Sequence, residues 1–521
     1  MGSPGVTRPM GTPFGRGSVT AQPEYVRHDG VVGFLCMSAN GFDLAASAHQ
    51  EMIEHGFHPD FPPGVAAQLK ALQSRVGLAT GGDVRDLRTL EWSSIDNDTS
   101  RDLDQAEVAE RVSGGIRIMI AIADVDSDVT IGSPIDQHAA GETTSVYTGI
   151  RTFPMLPEQL STDLTSLNEG VDRLAVVIEM VAGSDGEISS SSIYRALVRN
   201  QAQLTYNAVG AWLEGRSAAP AKVGGSAALQ EQLKLQDEAA QSLLAERRRL
   251  GALDLDRVEA EAVISDGKVQ GIDARKKNRA SELIENFMIA ANGVMAKTLT
   301  DAGACSIRRV VRTPERWARI VEFAARYGEK LPVEPDSGAL NTFLLKRKTT
   351  DAVHYADVSL AIVKLMGPGE YVLSRPGEEQ LGHFALAAHD YTHSTAPNRR
   401  FADTVTQRLI KAVLARAKAP YSADQLDSIA KNCTLKEDAA RKVERVMNKR
   451  IAAVALAPKI GQNFAGVVTG VTPKGTFVRV LDPPAEGILA RGQQGVDVGD
   501  QLRVKLVSTD PRRGYIDFVN A

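Results

Sequence analysis

From Lys459 onward the chain is cut into short apolar runs by glycine and proline: KIGQNFAGVVTGVTPKGTFVRVLDPPAEGILARGQQGVDVGDQLRVKLVSTDPRRGYIDFV. A helix does not propagate through such spacing, because each interior glycine costs roughly 1 kcal/mol and each proline about 3. Between the breaks, β-branched and aromatic residues alternate with polar ones, the period-two pattern of half-buried strands. Short strands joined by tight turns within one small stretch have few ways to bury a face. Residues 459–521 are therefore expected to close into a five-stranded barrel of the OB type, which also removes the sheet edges.

The remaining chain is too long for one ordinary core, since the whole has 521 residues. Residues 1–25 are rich in Gly, Pro, Ser and Thr and read as disordered or loosely attached. Helical spacing over Phe42–Gly56 and Gly64–Leu78 suggests a small, helix-turn-helix-like unit over residues 26–78. In the middle, Gly115–Val125 and Leu174–Val181 read as strands, and a GSDG turn leads into Ile188–Arg199. A helix ending at Arg247–Arg249, another over Leu283–Leu299 and a third over Phe401–Lys418 complete a mixed α+β body over residues 79–458.

No apolar run is long enough to span a bilayer, and the N-terminus lacks a signal-peptide pattern. Cys36, Cys305 and Cys433 are scattered and fit neither a disulfide framework nor a zinc pattern, which points to a reducing cytoplasm. The net charge of −4 does not advertise a nucleic-acid partner, so local patterning has to decide.

One stretch, SSIDNDTSRDLDQAE from Ser93 to Glu107, packs Asp96, Asp98, Asp102 and Asp104 into a few residues. Like charges this close cost free energy unless a cation neutralises them. Asp102 and Asp104 are two apart and share a face of an extended segment; a loop can fold Asp96 back beside them. Mg²⁺ takes such oxygen ligands together with phosphates and water. A solvated acidic loop is the competing reading. The EF-hand glycine and terminal glutamate are missing, which argues against a Ca²⁺ loop.

The blocks DVRDLRTLEWSSIDNDTSRDLDQA (83–106), IAIADVDSDV (120–129), GSPIDQHAAGETTSVYTGIRTFPMLPEQLSTDLTSL (132–167), RLGALDLD (249–256), ELIENFMIAAN (282–292) and YTHSTAPNRRFADTVTQRLI (391–410) occur in an order and at distances that resemble the ribonuclease II/R family of 3′→5′ exoribonucleases. The C-terminal stretch resembles an S1 domain. The resemblance implies an RNB catalytic domain, with a mixed sheet and surrounding helices, between the helical N-terminal unit and the S1 barrel. It also implies a monomeric enzyme acting on single-stranded RNA, with one or two Mg²⁺ ions and Mn²⁺ as a substitute.

By the same resemblance, Asp96, Asp102, Asp104 and Gln105 hold metal, and Asp104, Asp102, Arg399 and Tyr147 carry catalysis. Tyr147, Arg399, Arg400, Glu444, Lys474, Phe477 and Arg479 contact RNA, with Arg399 at the scissile phosphate and Tyr147 against the 3′-terminal nucleotide. Each has a plainer alternative. Arg399 and Arg400 could be a surface pair, Tyr147 a core tyrosine, Glu444 part of a solvated helix and Phe477 a core ring of the barrel.

Three departures stand out. Gln105 occupies the place of the family's second adjacent aspartate, and a neutral amide oxygen is a weaker ligand. Asp98 is the nearest carboxylate that could make good the charge. In the barrel, Lys474 and Ala490 stand where an aromatic and a histidine are common, leaving Phe477 with Lys474, Arg479 and Arg491. Fewer than about ninety residues precede the acidic motif, too few for the two cold-shock barrels of many relatives. Two readings therefore enter the structural comparison: a metal-dependent exoribonuclease, and an RNA-binding protein of the same fold with an impaired site.

Overall fold

The computed structural model describes residues 42–75, 83–256, 259–265, 268–352 and 354–521. Its main sheet has seven strands: β1 (Val84–Asp86), β2 (Ser93–Asp96), β3 (Gln105–Val112) and β4 (Gly115–Ala123), then β7 (Asp172–Ala182), β8 (Ile188–Arg199) and β9 (Ala202–Thr205). Between β4 and β7 lies a small hairpin, β5 (Val146–Tyr147) and β6 (Thr152–Phe153). The sheet order is β1-β8-β7-β4-β3-β2-β9, with β1–β8 and β2–β9 parallel and the other pairs antiparallel. β4 is central and almost wholly buried, as its run of Ile, Met and Ala requires.

Helices Ala227–Arg249 and Arg279–Asp301 join the sheet in one apolar core. The second starts at a reciprocal cap, where Asn278 and Ser281 each accept from the other's backbone N–H. A two-stranded ribbon, β10 (Glu259–Ser265) with β11 (Lys268–Arg275), lies between these helices in sequence. β12 (Ser306–Val310) pairs with β13 (Glu370–Ser374). Between those two strands, helices Trp317–Ala325, Ser337–Thr350 and Tyr355–Met366 gather round a separate core of Trp317, Ile320, Phe343 and Ile362.

The helix Ala423–Leu456 is the longest described, at 34 residues. Its second half shares an apolar core with the C-terminal barrel, through Met447, Ile451 and Leu456 against Phe464, Val478 and Phe518. The barrel is closed in the order β14 (Asn463–Thr472), β15 (Gly475–Leu481), β16 (Pro484–Arg491), β18 (Tyr515–Asn520), β17 (Gln501–Asp510). The mixed α+β architecture and the five-stranded barrel agree with the sequence reading.

The two early helices are Leu44–Glu54 and Pro63–Gln73, and they build no core of their own. Leu44, Ala48 and Met52 pack into the cluster of the long helix. Val65 enters the main core, and the Gln68 side chain accepts from the Ile135 N–H at 2.9 Å. Residues 1–25, read as loosely ordered, and Leu78 lie outside the described residues. Among the described residues, no helix is long and apolar enough to cross a membrane.

Candidate active site

Asp96 ends β2 and Asp104 immediately precedes β3, so the loop joining two neighbouring strands carries the acidic run. Ser93 pairs with Glu107, and extending that register sets Asp96 across from Asp104. Asp96 Oδ1 accepts from the Asn97 N–H at 2.7 Å and from Ser100 Oγ at 2.9 Å. Asp104 is 4% exposed; its Oδ1 accepts from the Asn398 N–H at 3.0 Å, and its Oδ2 lies 3.6 Å from Arg399 Nε. Burial above all pushes the Asp104 carboxyl up to about 7; Asp102 pushes the same way and Arg399 pulls it back. Asp96 is raised too, again chiefly by burial.

The second arm arrives from far along the chain for a local reason. The segment Asn398–Phe401 runs beside Thr143–Ser145: the Ser145 N–H donates to the Arg399 carbonyl at 3.0 Å and the Phe401 N–H to the Thr143 carbonyl at 2.8 Å. Two residues beyond Ser145 stands Tyr147, so this pairing delivers Tyr147 and Arg399 to the same place. The Tyr147 ring is 42% exposed, and its hydroxyl reaches Asp102 Oδ2 at 3.4 Å. It is not a core tyrosine. The Tyr147 N–H donates to Glu444 Oε1 at 3.3 Å, which ties Glu444 to the site rather than to bulk solvent.

Arg399 and Arg400 divide. Arg400 Nη2 donates to Asp403 Oδ1 at 2.7 Å, and the same oxygen accepts from the Ala396 N–H at 2.8 Å. The Arg399 side chain is 44% exposed and faces open space with only Asp104 as its ion-pair partner among the described residues. Both arginines, with Arg309, His383, Glu285 and Asn292, line a cavity of about 350 Å³ beside the acidic loop.

Gln105 is buried, and its Nε2 donates to the Ile95 carbonyl at 3.1 Å. That bond orients the amide and leaves its oxygen as the ligand atom. Asp98 does not make good the missing charge: its Oδ2 accepts from Asn207 Nδ2 at 2.5 Å, outside the cluster.

In the barrel, Thr476, Val478 and Val480 point inward, so Phe477 and Arg479 lie on the outer face and Phe477 is not a core ring. Lys474 is exposed in the preceding turn. Arg479 is engaged, 3.4 Å from Asp357 of the helical unit.

Sequence reasoning missed three residues. Asn398 acts through its backbone N–H, which no side-chain pattern reveals. Asp403, fully buried, pins the loop that carries both arginines, and its spacing of three from Arg400 at a helix start was the available signal. Glu107 is fully buried with neither carboxylate oxygen hydrogen-bonded, and burial followed by repulsion from Asp96 raises it well above the usual carboxylate range.

A family model described as the RNB domain matches residues 84–416, and one for the RNase II-type exonuclease C-terminal S1 domain matches 462–521. The chain belongs to the RNB family. Ribonuclease R 1 of Lactococcus lactis subsp. lactis (strain IL1403) is 30% identical over 501 residues, covering 88% of this chain and 59% of that protein. The chain thus spans somewhat under two thirds of that relative's length. The structure of Mycoplasma genitalium RNase R in complex with ribose-methylated single-stranded RNA superposes with a TM-score of 0.82 at 24% identity, over 92% of this chain and 78% of that one. Yeast Ssd1, described as a pseudonuclease, shares the fold with a TM-score of 0.65 at 18% identity, over 86% of this chain and 56% of that one. The RNB fold alone therefore does not decide between the two readings, and the residues of the site must.

RNB-family nucleases depend in general on a divalent metal. Among the described residues no group of three or more His, Cys, Asp or Glu closes into a metal cage. The donor set nevertheless fits a hard cation. Asp96 and Asp104 are destabilised as anions by burial and by Asp102, and the oxygens of Asp102 and Gln105 lie on the same loop and strand start. An open, all-oxygen set of this kind suits an ion that keeps water and substrate phosphate in its shell.

Proposed function

We propose that the chain is a Mg²⁺-dependent exoribonuclease that shortens single-stranded RNA from its 3′ end and releases nucleoside 5′-monophosphates. The observation that carries this reading is the convergence of Asp96, Asp102, Asp104, Tyr147 and Arg399 from three distant stretches onto one small region. A chain that had lost catalysis would have no reason to keep a buried, repelling carboxylate pair beside an exposed guanidinium.

In this reading Asp96, Asp102, Asp104 and the Gln105 amide oxygen hold the metal, which supplies a water acidified toward neutral pH and compensation for charge on the phosphoryl oxygens. Arg399 grips a non-bridging oxygen of the last internucleotide phosphate. Tyr147 stacks on the terminal base, a contact that every base can make. Its hydroxyl is oriented by Asp102, and Glu444 fixes its backbone. Water adds to phosphorus and the 3′-oxygen of the penultimate nucleotide leaves. Asp403 and Asn398 hold the loop that keeps Arg399 and Asp104 in register.

The impaired RNA-binding alternative rests on Gln105 alone. The test is product analysis on a 5′-labelled single-stranded RNA with Mg²⁺ or with chelator. The proposal expects a ladder that shortens from the 3′ end and mononucleotides bearing a 5′-phosphate, only when metal is present. Binding without shortening in either condition rejects it in favour of the alternative.

A further inference from the structure

The departures at Lys474 and Ala490 leave the barrel's outer face with fewer aromatic groups than its fold allows. Another aromatic stands on that face from a different strand. Tyr515 opens β18 and is 57% exposed, one of the most exposed large side chains described. Arg512 and Arg513 precede it in an exposed turn, and Arg513 is 72% exposed with only a loose contact to Asp510 at 3.8 Å.

The register locates Tyr515 relative to Phe477. Phe477 pairs with Ile488, and Ile488 with Asp517, two residues beyond Tyr515. The two aromatics are therefore two strands across and two residues along from one another, about 12 Å on the barrel surface from standard strand spacings. That is a step of about two nucleotides of extended single strand.

The same turn touches the catalytic body. Gly514 adopts φ +67, and a Cβ there would meet the Lys449 side chain and the Arg450 backbone at about 3 Å, so only glycine lets the turn sit flush on the long helix. The Arg450 guanidinium donates to the Arg512 carbonyl at 3.0 Å. On that helix Lys442, Arg445 and Lys449 are exposed and form no ion pair among the described residues. They lie one turn apart, beside Glu444, which holds Tyr147. On the other side, Arg479 joins the barrel to Asp357.

We infer that Tyr515 is an RNA-stacking residue. With Arg513 and the Lys442, Arg445 and Lys449 row, it passes the single strand from Phe477 to the mouth of the catalytic site. The inference rests on the RNA reading above. The pattern is that of a single-strand track: an aromatic group for the bases beside unpaired cations for the backbone. Tyr515 contributes only to strands long enough to reach from the acidic loop to the barrel, and it does not touch the reacting phosphate.

The experiment measures affinity by fluorescence anisotropy on two labelled RNAs, one of 25 and one of 5 nucleotides. Both are bound to the Asp104→Asn protein with no further change, with Tyr515→Ala, or with Tyr515→Phe. Tyr515→Ala is expected to weaken the long RNA by about tenfold, in line with the loss of one base stack. It should leave the short RNA unchanged, and Tyr515→Phe should restore the long. Equal affinity of the Ala and parent proteins for the long RNA overturns the inference while leaving the RNA reading intact. So does an equal loss on both RNAs. Failure of the parent protein to bind either RNA overturns the functional reading and the inference with it.

Discussion

Gln105 places a neutral oxygen where its relatives carry a second aspartate, inside a cluster already strained by Asp96, Asp102 and Asp104. An added carboxylate there raises both the attraction for a dication and the repulsion without one. Gln105→Asp should therefore bind Mg²⁺ several-fold more tightly by calorimetry and melt at a lower temperature in chelator. Unchanged metal affinity would mean that the amide oxygen does not face the ion.

At the scale of elements, the site depends on how the helix Phe401–Leu414 is anchored, because Arg399 and Arg400 stand at its start. Arg408 lies on its buried side, 2% exposed. It donates to Asp126 at 2.6 Å, to Asp136 at 2.8 Å, to the Val129 carbonyl at 2.6 Å and to the Tyr421 hydroxyl at 2.6 Å. Lys411 adds bonds to Asp124 and Asp126 at 2.8 and 2.9 Å. Removing Arg408 strands buried carboxylates, so Arg408→Ala should cost about 3–5 kcal/mol in urea denaturation. Arg408→Lys should recover little, since an ammonium cannot serve four acceptors in a planar fork.

The loops facing the cavity predict a pH response. Burial first, then Arg309, holds the His383 imidazole down to about 4; burial, then Arg400, holds His393 well below its ordinary range. The folded protein keeps both neutral while the unfolded chain protonates them near 6.5, so stability is lost as pH falls from about 6.5 toward 4. Thermal melts at pH 7, 6 and 5 should show a progressive fall that His383→Gln reduces. A flat profile would mean that these rings are not held neutral.

Much at this scale was legible. The runs Gly115–Val125 and Leu174–Val181 appear as Gly115–Ala123 and Asp172–Ala182, because central strands carry their burial in their own composition. The helix expected over Phe401–Lys418 stops at Leu414. The helices between Trp317 and Met366 went unread, since they pack on one another in a small core set apart from the sheet. The acidic residues, Tyr147 and Arg399 could be named from their motifs. The contacts that organise them could not. Asn398 reaches Asp104 through a backbone N–H, and the loop at Thr143–Ser145 meets Arg399 through main-chain bonds that carry no side-chain signature. Arg479 looked free to meet RNA until Asp357 was found beside it.

For the molecule as a whole, the barrel is more than an appendage. Phe464, Val478 and Phe518 share a core with Met447, Ile451 and Leu456 of the helix that also carries Glu444. Deleting residues 462–521 bares that apolar face, so hydrogen exchange over residues 440–456 should accelerate by at least about tenfold and long RNA should bind more weakly. Unchanged protection would show the barrel to be independently hung.

The central claim is that the converged acidic site performs chemistry and does not merely hold RNA. The most direct test is Asp104→Asn, which keeps shape and removes charge, with single-turnover degradation and RNA affinity measured side by side. The account predicts a rate at least about 10³-fold lower with affinity changed by no more than a few-fold, as expected when an interaction made mainly in the transition state is lost. Equal rates for the two proteins, or no degradation by either, would contradict it.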